Sequence, residues 1–290
     1  MNIIGTGLTG LVGSRIVDLL SPDYSFTNMS LETGVDITNR ESVIPRIEKD
    51  ADSRWVLHLA AYTNVQQAEL EKDLGIESTA WKVNVLATET IVNACKNSGK
   101  KLIYIDTDYA FDGTRASYTE QDEPNPLGWY AKTKSEGAKR ALTMGTDGVV
   151  IRISNPYRAH PVGKTDFVHK MLERMNQGLQ IVAPNDQLFV PTFIDDLAPV
   201  LRAIMKHDAS GIFHAVSSTP VSPYEAASIV ARVYGKDPSL VQQTTFSAYF
   251  AGKAPTPQYA VLLDTKLTKL GVSLHAFADG IEAVHRQETG

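Results

Sequence analysis

Cysteine is almost missing from this chain: one, Cys95, occurs in 290 residues. That excludes an internal disulfide and any multi-cysteine metal centre, and it makes a reducing compartment, the cytoplasm, the expected location. No apolar run approaches the ~20 residues that a membrane span requires. Residues 1–14 lack a basic segment leading into a long apolar stretch, so neither a membrane partner nor an export signal is expected. Charge of one sign is never concentrated. The 28 basic and 33 acidic side chains leave a net charge of −5, with no Lys/Arg block, which argues against a nucleic-acid partner and leaves a phosphate-bearing small ligand open. The 7 histidines show neither H-x-x-x-H nor H-E-x-x-H spacing, so no metal site is expected. Without a G-x-S-x-G elbow a serine hydrolase is unsupported. Repeats, low-complexity tracts and long linkers are absent too, which favours elements packed into one continuous body.

What is present is an alternation of short apolar runs with helical patterns. Asn2 to Ile4, Tyr24 to Asn28, Trp55 to Ala60, Leu102 to Ile105 and Val149 to Ile153 are strand candidates. They are nearly continuous rather than alternating, as strands are when both faces of a parallel sheet are covered by helices. The predicted fold is α/β, a doubly wound parallel Rossmann sheet over residues 1–153, with residues 154–290 forming mainly a smaller substrate domain. Segments near 181–183 and 212–216 are expected to rejoin the sheet. Val83, Ala87, Ile91, Ala94 and Cys95 share one helical face that stops at Gly99, so Cys95 reads as core packing and not as a nucleophile. His58 likewise reads as a core or interface histidine. Ser222 and Glu225 predict a capping box, and Asp195-Asp196 read as helix-start charges.

Directly after the first strand stands Gly5-Thr6-Gly7-Leu8-Thr9-Gly10-Leu11-Val12-Gly13, which satisfies G-x-G-x-x-G. Glycines let the backbone and the following helix's positive end approach a diphosphate, so the turn predicts dinucleotide binding, with Gly7, Gly10 and Gly13 central. An NAD site usually places an acid about 20 residues on, against the ribose 2′-hydroxyl. Here the second strand ends in Thr27-Asn28-Met29-Ser30 instead. Neutral groups, with Arg15 nearby, tolerate a 2′-phosphate, so NADP(H) is preferred and NAD(H) remains possible. Asp36-Ile37 either flanks the adenine or, with a Thr38–Glu41 capping box, prepares a helix start.

Tyr130 and Lys134 lie four residues apart, on one face of a predicted helix. A cation there favours phenolate and draws a phenol with an ordinary pKa near ~10 towards acid–base work at neutral pH. Tyr249 and Lys253 repeat the spacing, but among Gly252, Pro255 and Pro257 they make poor helix. The fourth strand ends at Asp106-Thr107-Asp108-Tyr109, at the sheet edge where ligands bind, and Thr107 is placed to hydrogen-bond a substrate carbonyl.

Taken together, "TGLTGLVG", "HLAAYTNVQQAE", "DTDYAFDG", "YAKTK" and "NDQLFVPTFIDDLA" resemble the extended short-chain dehydrogenases/reductases, and within them the dTDP-4-dehydrorhamnose reductase family. The resemblance implies a ketone reductase of a nucleotide-linked 4-keto-6-deoxysugar, with Thr107, Tyr130 and Lys134 catalytic. It implies that residues 7–13, Asn28, Asp36, Ile37, Ala60, Ala61, Tyr62 and Asn84 hold the cofactor along with Tyr130 and Lys134. Thr107, Asp108, Tyr109, Asn155, Tyr157, Phe167, Gln187 and Lys253 are the implied substrate contacts, and a homodimer is plausible. Relatives commonly have serine where Asp106 stands. The late arginine segment is replaced by "GKAPTPQYAVLLD", so the family's usual phosphate contact is either missing or replaced by Lys253. Two alternatives share these motifs: a non-catalytic subunit similar to the regulatory subunit of methionine adenosyltransferase, and an NAD-dependent sugar-nucleotide epimerase.

Overall fold

A computed structural model describes residues 1–290, and the five apolar runs of the first half are strands of one parallel sheet. β1 (Asn2–Thr6) leads through the glycine turn into α1 (Leu11–Leu20), followed by β2 (Ser25–Met29), α2 (Arg40–Glu48) and β3 (Ser53–His58). Two short helices, α3 (Val65–Leu70) and α4 (Thr79–Trp81), precede a π-helical turn over residues 82–86 that continues into α5 (Ala87–Ser98). β4 (Lys101–Thr107), α6 (Trp129–Leu142) and β5 (Gly148–Ile153) complete this half.

The second half begins with α7 (Phe167–Asn176), β6 (Ile181–Pro184) and β7 (Leu188–Phe189), then α8 (Leu197–Lys206), β8 (Gly211–His214) and α9 (Pro223–Val233). β9 (Val241–Thr244), α10 (Phe246–Tyr249), β10 (Tyr259–Ala260) and α11 (Phe277–Thr289) end the chain. The main sheet has the order β2-β1-β3-β4-β5-β8, every neighbouring pair parallel. Residues 211–214 therefore rejoin it as expected. Residues 181–183 do not: β6 pairs with β9 in a separate two-stranded sheet, because its inner side chains Ile181 and Ala183 pack with α7 and α9.

Strand alternation distributes the core. Ile3, Trp55, Leu57, Ile103, Val149 and Ile151 face α1 and α8, while Ile4, Val56, Leu102, Tyr104 and Val150 face α2, α5 and α6. Each such buried Val, Leu or Ile contributes about 1.5–3 kcal/mol. A third apolar cluster gathers α7, α9 and α11 around Tyr157, Phe193 and Phe277.

Cys95 is fully buried on α5, and burial pushes its thiol up to about 12. His58 is buried between Thr6 and Thr88, at 2.7 and 3.0 Å, and burial with the Lys134 charge lowers it to about 3. The Ser222–Glu225 capping box forms. The Thr38–Glu41 box does not, because Asn39 takes the N-cap of α2 and accepts from Glu41 N. No helix is long and apolar enough to cross a membrane.

Candidate active site

The carboxyl ends of β1, β3 and β4, with the residues that follow β5, open onto one cavity of about 510 Å³. β1 connects to α1 on one face of the sheet and β3 to α5 on the other, so the cavity sits where an open α/β sheet parts its connections.

Gly7, Gly10, Leu11, Val12 and Gly13 form one wall. Gly7 has φ +68°, and a Cβ there would lie 2.6 Å from Ala60 N; at Gly13 a Cβ would overlap the Gly7 carbonyl and come within 2.6 Å of Leu8 Cα. Neither position admits a side chain, so the turn closes on Ala60 and α1 starts directly against it. Gly10 is the N-cap of α1, no side chain closes that end, and its first turn carries no acid. Free N–H groups and the helix's positive end therefore face the cavity wall unopposed, a cradle that fits a diphosphate. Ala60 and Ala61 border the same space. Asn28, an expected cofactor contact, is half-buried and does not border the cavity; its Oδ1 is buried without a hydrogen-bond partner.

Several expected cofactor contacts lie elsewhere. Leu8 drops into the core beneath the turn, and Thr9 stands exposed outside the cavity. Asp36 is exposed, its carboxylate accepting from Thr38 N at 2.9 Å and Thr38 Oγ1 at 2.7 Å, and half-buried Ile37 packs on the core under α2. Neither borders the cavity. Tyr62 is not a lining residue either; its N–H donates to Asn84 Oδ1 at 2.8 Å. Asn84, on the π-turn, also donates to Thr133 Oγ1 at 2.9 Å, so it ties the β3 loop to α6 from behind the cavity. Arg15 is committed to Asp195 by hydrogen bonds of 2.7 and 2.6 Å and to Gln287 by one of 2.9 Å, so it does not wait for a 2′-phosphate.

The opposite wall brings together Thr107, Asp108, Tyr109, Tyr130 and Lys134. Thr107 Oγ1 accepts from Tyr109 N at 3.3 Å and donates to Asp108 Oδ1 at 3.1 Å, while Ser154 Oγ donates to Asp108 Oδ2 at 2.6 Å. Burial raises Asp108 to about 6 against these hydrogen bonds. Lys134 donates to Ile105 O at 2.7 Å, and its Nζ lies 4.1 Å from the Tyr104 ring centroid. Burial lowers it to about 8, opposed by the charge of Asp106. Tyr130 departs from the sequence expectation: its phenol stands above its ordinary value, because burial dominates and Asp106, Asp108 and Tyr109 add to it, with the Thr107 hydroxyl working the other way. The phenol is thus a proton holder at neutral pH, suited to give a proton to a developing alkoxide.

Asn155 and Phe167 reach the cavity, Asn155 in a left-handed conformation at φ +37° directly before Pro156. Three other expected substrate contacts do not line it. Tyr157 is a core residue, 1% exposed and packed against Phe193, Phe167 and Phe277. Gln187 is buried with its amide donating to Pro257 O at 3.2 Å, and Lys253 lies over the Tyr249 ring, 3.5 Å from its centroid. The cavity includes Asp106, Thr63, Lys164, Asp166 and Lys170, which were not among the expected contacts. Asp166 caps α7 by accepting from His169 N at 2.9 Å, and Lys164 Nζ donates to Thr63 Oγ1 at 3.4 Å across the mouth. An acid just before "FVHKML" was a readable cap signal, whereas nothing in the sequence separates Lys164 and Lys170 from solvated lysines.

A family profile described as the RmlD substrate binding domain matches residues 1–289. A dTDP-4-keto-6-deoxy-D-glucose reductase of Streptomyces niveus is 32% identical over 265 residues, 89% of this chain and 86% of that protein. The dTDP-4-dehydrorhamnose reductase of Mycobacterium tuberculosis is 29% identical over 277 residues, 93% and 88% of the two chains. Among solved structures, dTDP-4-dehydrorhamnose reductase from Bacillus anthracis in complex with NADP superposes with TM-score 0.89 at 25% identity, covering 99% of each chain.

Proposed function

The chain belongs to the RmlD substrate binding domain family, and on that premise we propose that it is a reductase of a dTDP-linked 4-keto-6-deoxysugar. The observation that carries the reading is the meeting, in one cavity, of a side-chain-free diphosphate cradle with Thr107, Tyr130 and Lys134. When bound, a nicotinamide dinucleotide supplies the hydride. The chain's own residues supply the rest. Gly7, Gly10 and Gly13 hold the diphosphate. The Thr107 hydroxyl orients the substrate carbonyl, and the Tyr130 hydroxyl gives its proton to the oxygen that becomes the alcohol. The Lys134 ammonium stabilises the phenolate left behind and grips the nicotinamide ribose. Asp108, Tyr109, Asn155 and Phe167 border the space left for the sugar, and Lys164 and Lys170 set positive charge at its mouth, where a sugar nucleotide brings its diphosphate.

NADPH is the preferred donor in this reading, with NADH admitted. The support is the carboxylate-free end of β2, Thr27 to Ser30, and the NADP bound by the Bacillus anthracis relative. Residues 154–290 act mainly as the sugar-nucleotide lobe, and a cytoplasmic homodimer is the proposed setting. The test is oxidation of NADPH and of NADH with a panel of dTDP-linked 4-keto-6-deoxysugars and the corresponding free keto-sugars. Turnover that depends on the nucleotide-linked substrate supports the reading, and cofactor binding without turnover on any of them refutes it.

A further inference from the structure

Asp106 borders the cavity, yet neither the cofactor cradle nor the trio of Thr107, Tyr130 and Lys134 uses it. Its carboxylate belongs to a row that crosses three strands. The register sets Asp106 on β4 beside Arg152 on β5, and Arg152 beside His214 on β8. Arg152 Nε donates to Asp106 Oδ2 at 3.3 Å, and its terminal nitrogen lies 3.3 Å from His214 Nε2. All three side chains are buried, and the guanidinium also lies over the Phe111 ring, 4.9 Å from its centroid. One oxygen of Asp106 is therefore fixed. The other, Oδ1, is buried and accepts no hydrogen bond. Two residues along the strand from Tyr104, the side chain shares the face of β4 that looks towards α6.

Lys134, on α6, has no carboxylate hydrogen-bonded to it; its partners are the Ile105 carbonyl and the Tyr104 ring. The carbonyl and the ring favour the charged form, and a buried ammonium so placed depends further on the field of groups nearby. Those groups are His58 on β3, neutral because burial lowers it to about 3; the neutral phenols of Tyr104 and Tyr130; and Asp106. Around Asp106 itself stand Arg152, Lys134 and the phenols of Tyr104 and Tyr130, with His214 on the far side of Arg152.

We propose that Asp106, clamped by Arg152, is a positioning residue that keeps the Lys134 ammonium charged within the cavity and through it serves proton transfer from Tyr130. The role in proton transfer rests on the reductase reading, whereas the effect on Lys134 does not. Lys134 Nζ holds the carbonyl of Ile105, the residue before Asp106, and lies over the ring of Tyr104, the neighbour of Asp106 on the same face of β4, so the carboxylate stands on the ammonium's side of the strand. Burial lowers Lys134 and the Asp106 charge opposes it. Burial likewise pushes Asp106 up, and Arg152 and Lys134 pull it back. An arginine partner stays charged throughout, so the carboxylate is held ionised by a cation that does not titrate.

The test reads Lys134 directly, by side-chain nitrogen NMR of cofactor-free protein labelled with [ζ-15N]lysine, with the Lys134 signal assigned by its loss in Lys134→Arg. In the wild-type protein the ammonium is expected to titrate below its ordinary value, with a midpoint of about 8. In Asp106→Asn the midpoint moves down by about one pH unit or more. That variant leaves the buried Arg152 charge unpaired, so a second, Asp106→Asn with Arg152→Gln, removes both charges together, and its midpoint moves in the same direction. Unchanged Lys134 midpoints in both variants overturn the proposal. The alkaline limb of keto-sugar turnover moves down with the Lys134 midpoint. If the midpoint moves but the wild-type protein reduces no keto-sugar at any pH, the reductase reading fails while the effect of Asp106 on Lys134 stands.

Discussion

Glu69, on α3, accepts a hydrogen bond from the Trp129 backbone N–H at 2.8 Å, so a carboxylate from one helix closes the N-terminus of the helix that carries Tyr130. Gly128, the N-cap of α6, has no side chain to do this. Glu69→Ala is therefore expected to cost about 1 kcal/mol of stability, the usual worth of a helix cap, and to lower turnover several-fold as Tyr130 loses its fixed position. Thermal unfolding and steady-state kinetics check the two parts. Unchanged turnover in a destabilised variant would reduce Glu69 to a stability contact.

The glycine turn makes a sharper prediction. Gly13→Ala places a methyl group against Gly7 and Leu8 backbone, where nothing flexible can give way. Dinucleotide affinity is expected to fall by at least an order of magnitude, measured by fluorescence titration with NADPH, in a protein whose circular dichroism spectrum is retained.

Arg15 illustrates where sequence reasoning stops. Its place after the glycine turn suggested a 2′-phosphate contact, but its bidentate partner Asp195 comes from a segment 180 residues away. Arg15→Ala is accordingly expected to leave the ratio of NADPH to NADH affinity unchanged while lowering the unfolding temperature. A selective loss of NADPH affinity would contradict the geometry.

The same limit explains which parts of the site were legible. The five sheet strands, the glycine cradle and the Thr107/Tyr130/Lys134 wall follow from local pattern, because strand ends and the first turn of a helix are placed by the elements that carry them. Substrate contacts are placed by long-range packing. Asn155 and Tyr157 are two residues apart, yet Asn155 turns into the cavity at φ +37° and Tyr157 turns into the aromatic cluster of α7 and α11. Lys253 had the right charge for a phosphate contact, and its position over the Tyr249 ring follows from a short helix that no periodicity announced. Asn84 was expected among the cofactor contacts, but its side chain braces the β3 loop rather than bordering the cavity.

His169 ties α7 to the C-terminal helix, with Nδ1 2.9 Å from Asp166 and Nε2 2.7 Å from Glu288. Burial alone would lower its pKa, but the two carboxylates outweigh burial and raise it above 6.5. A raised folded value means that the protonated form stabilises the fold, fully below about pH 6.5 and decreasingly as pH rises through the folded value. The stability difference between wild type and His169→Gln is thus expected to be largest on the acid side of that value, above the range where Glu288 protonates, and to shrink towards alkaline pH. Unfolding midpoints across a pH series measure it, and a difference independent of pH would contradict the ion pairing.

The most direct test of the central claim compares wild-type protein with Tyr130→Phe in NADPH oxidation driven by a dTDP-linked 4-keto-6-deoxysugar, with cofactor binding measured in both. Loss of the proton donor is expected to lower turnover by roughly 10²–10⁴-fold while NADPH affinity is retained. Equal turnover in the two proteins would contradict the assignment of Tyr130 as the group that protonates the substrate.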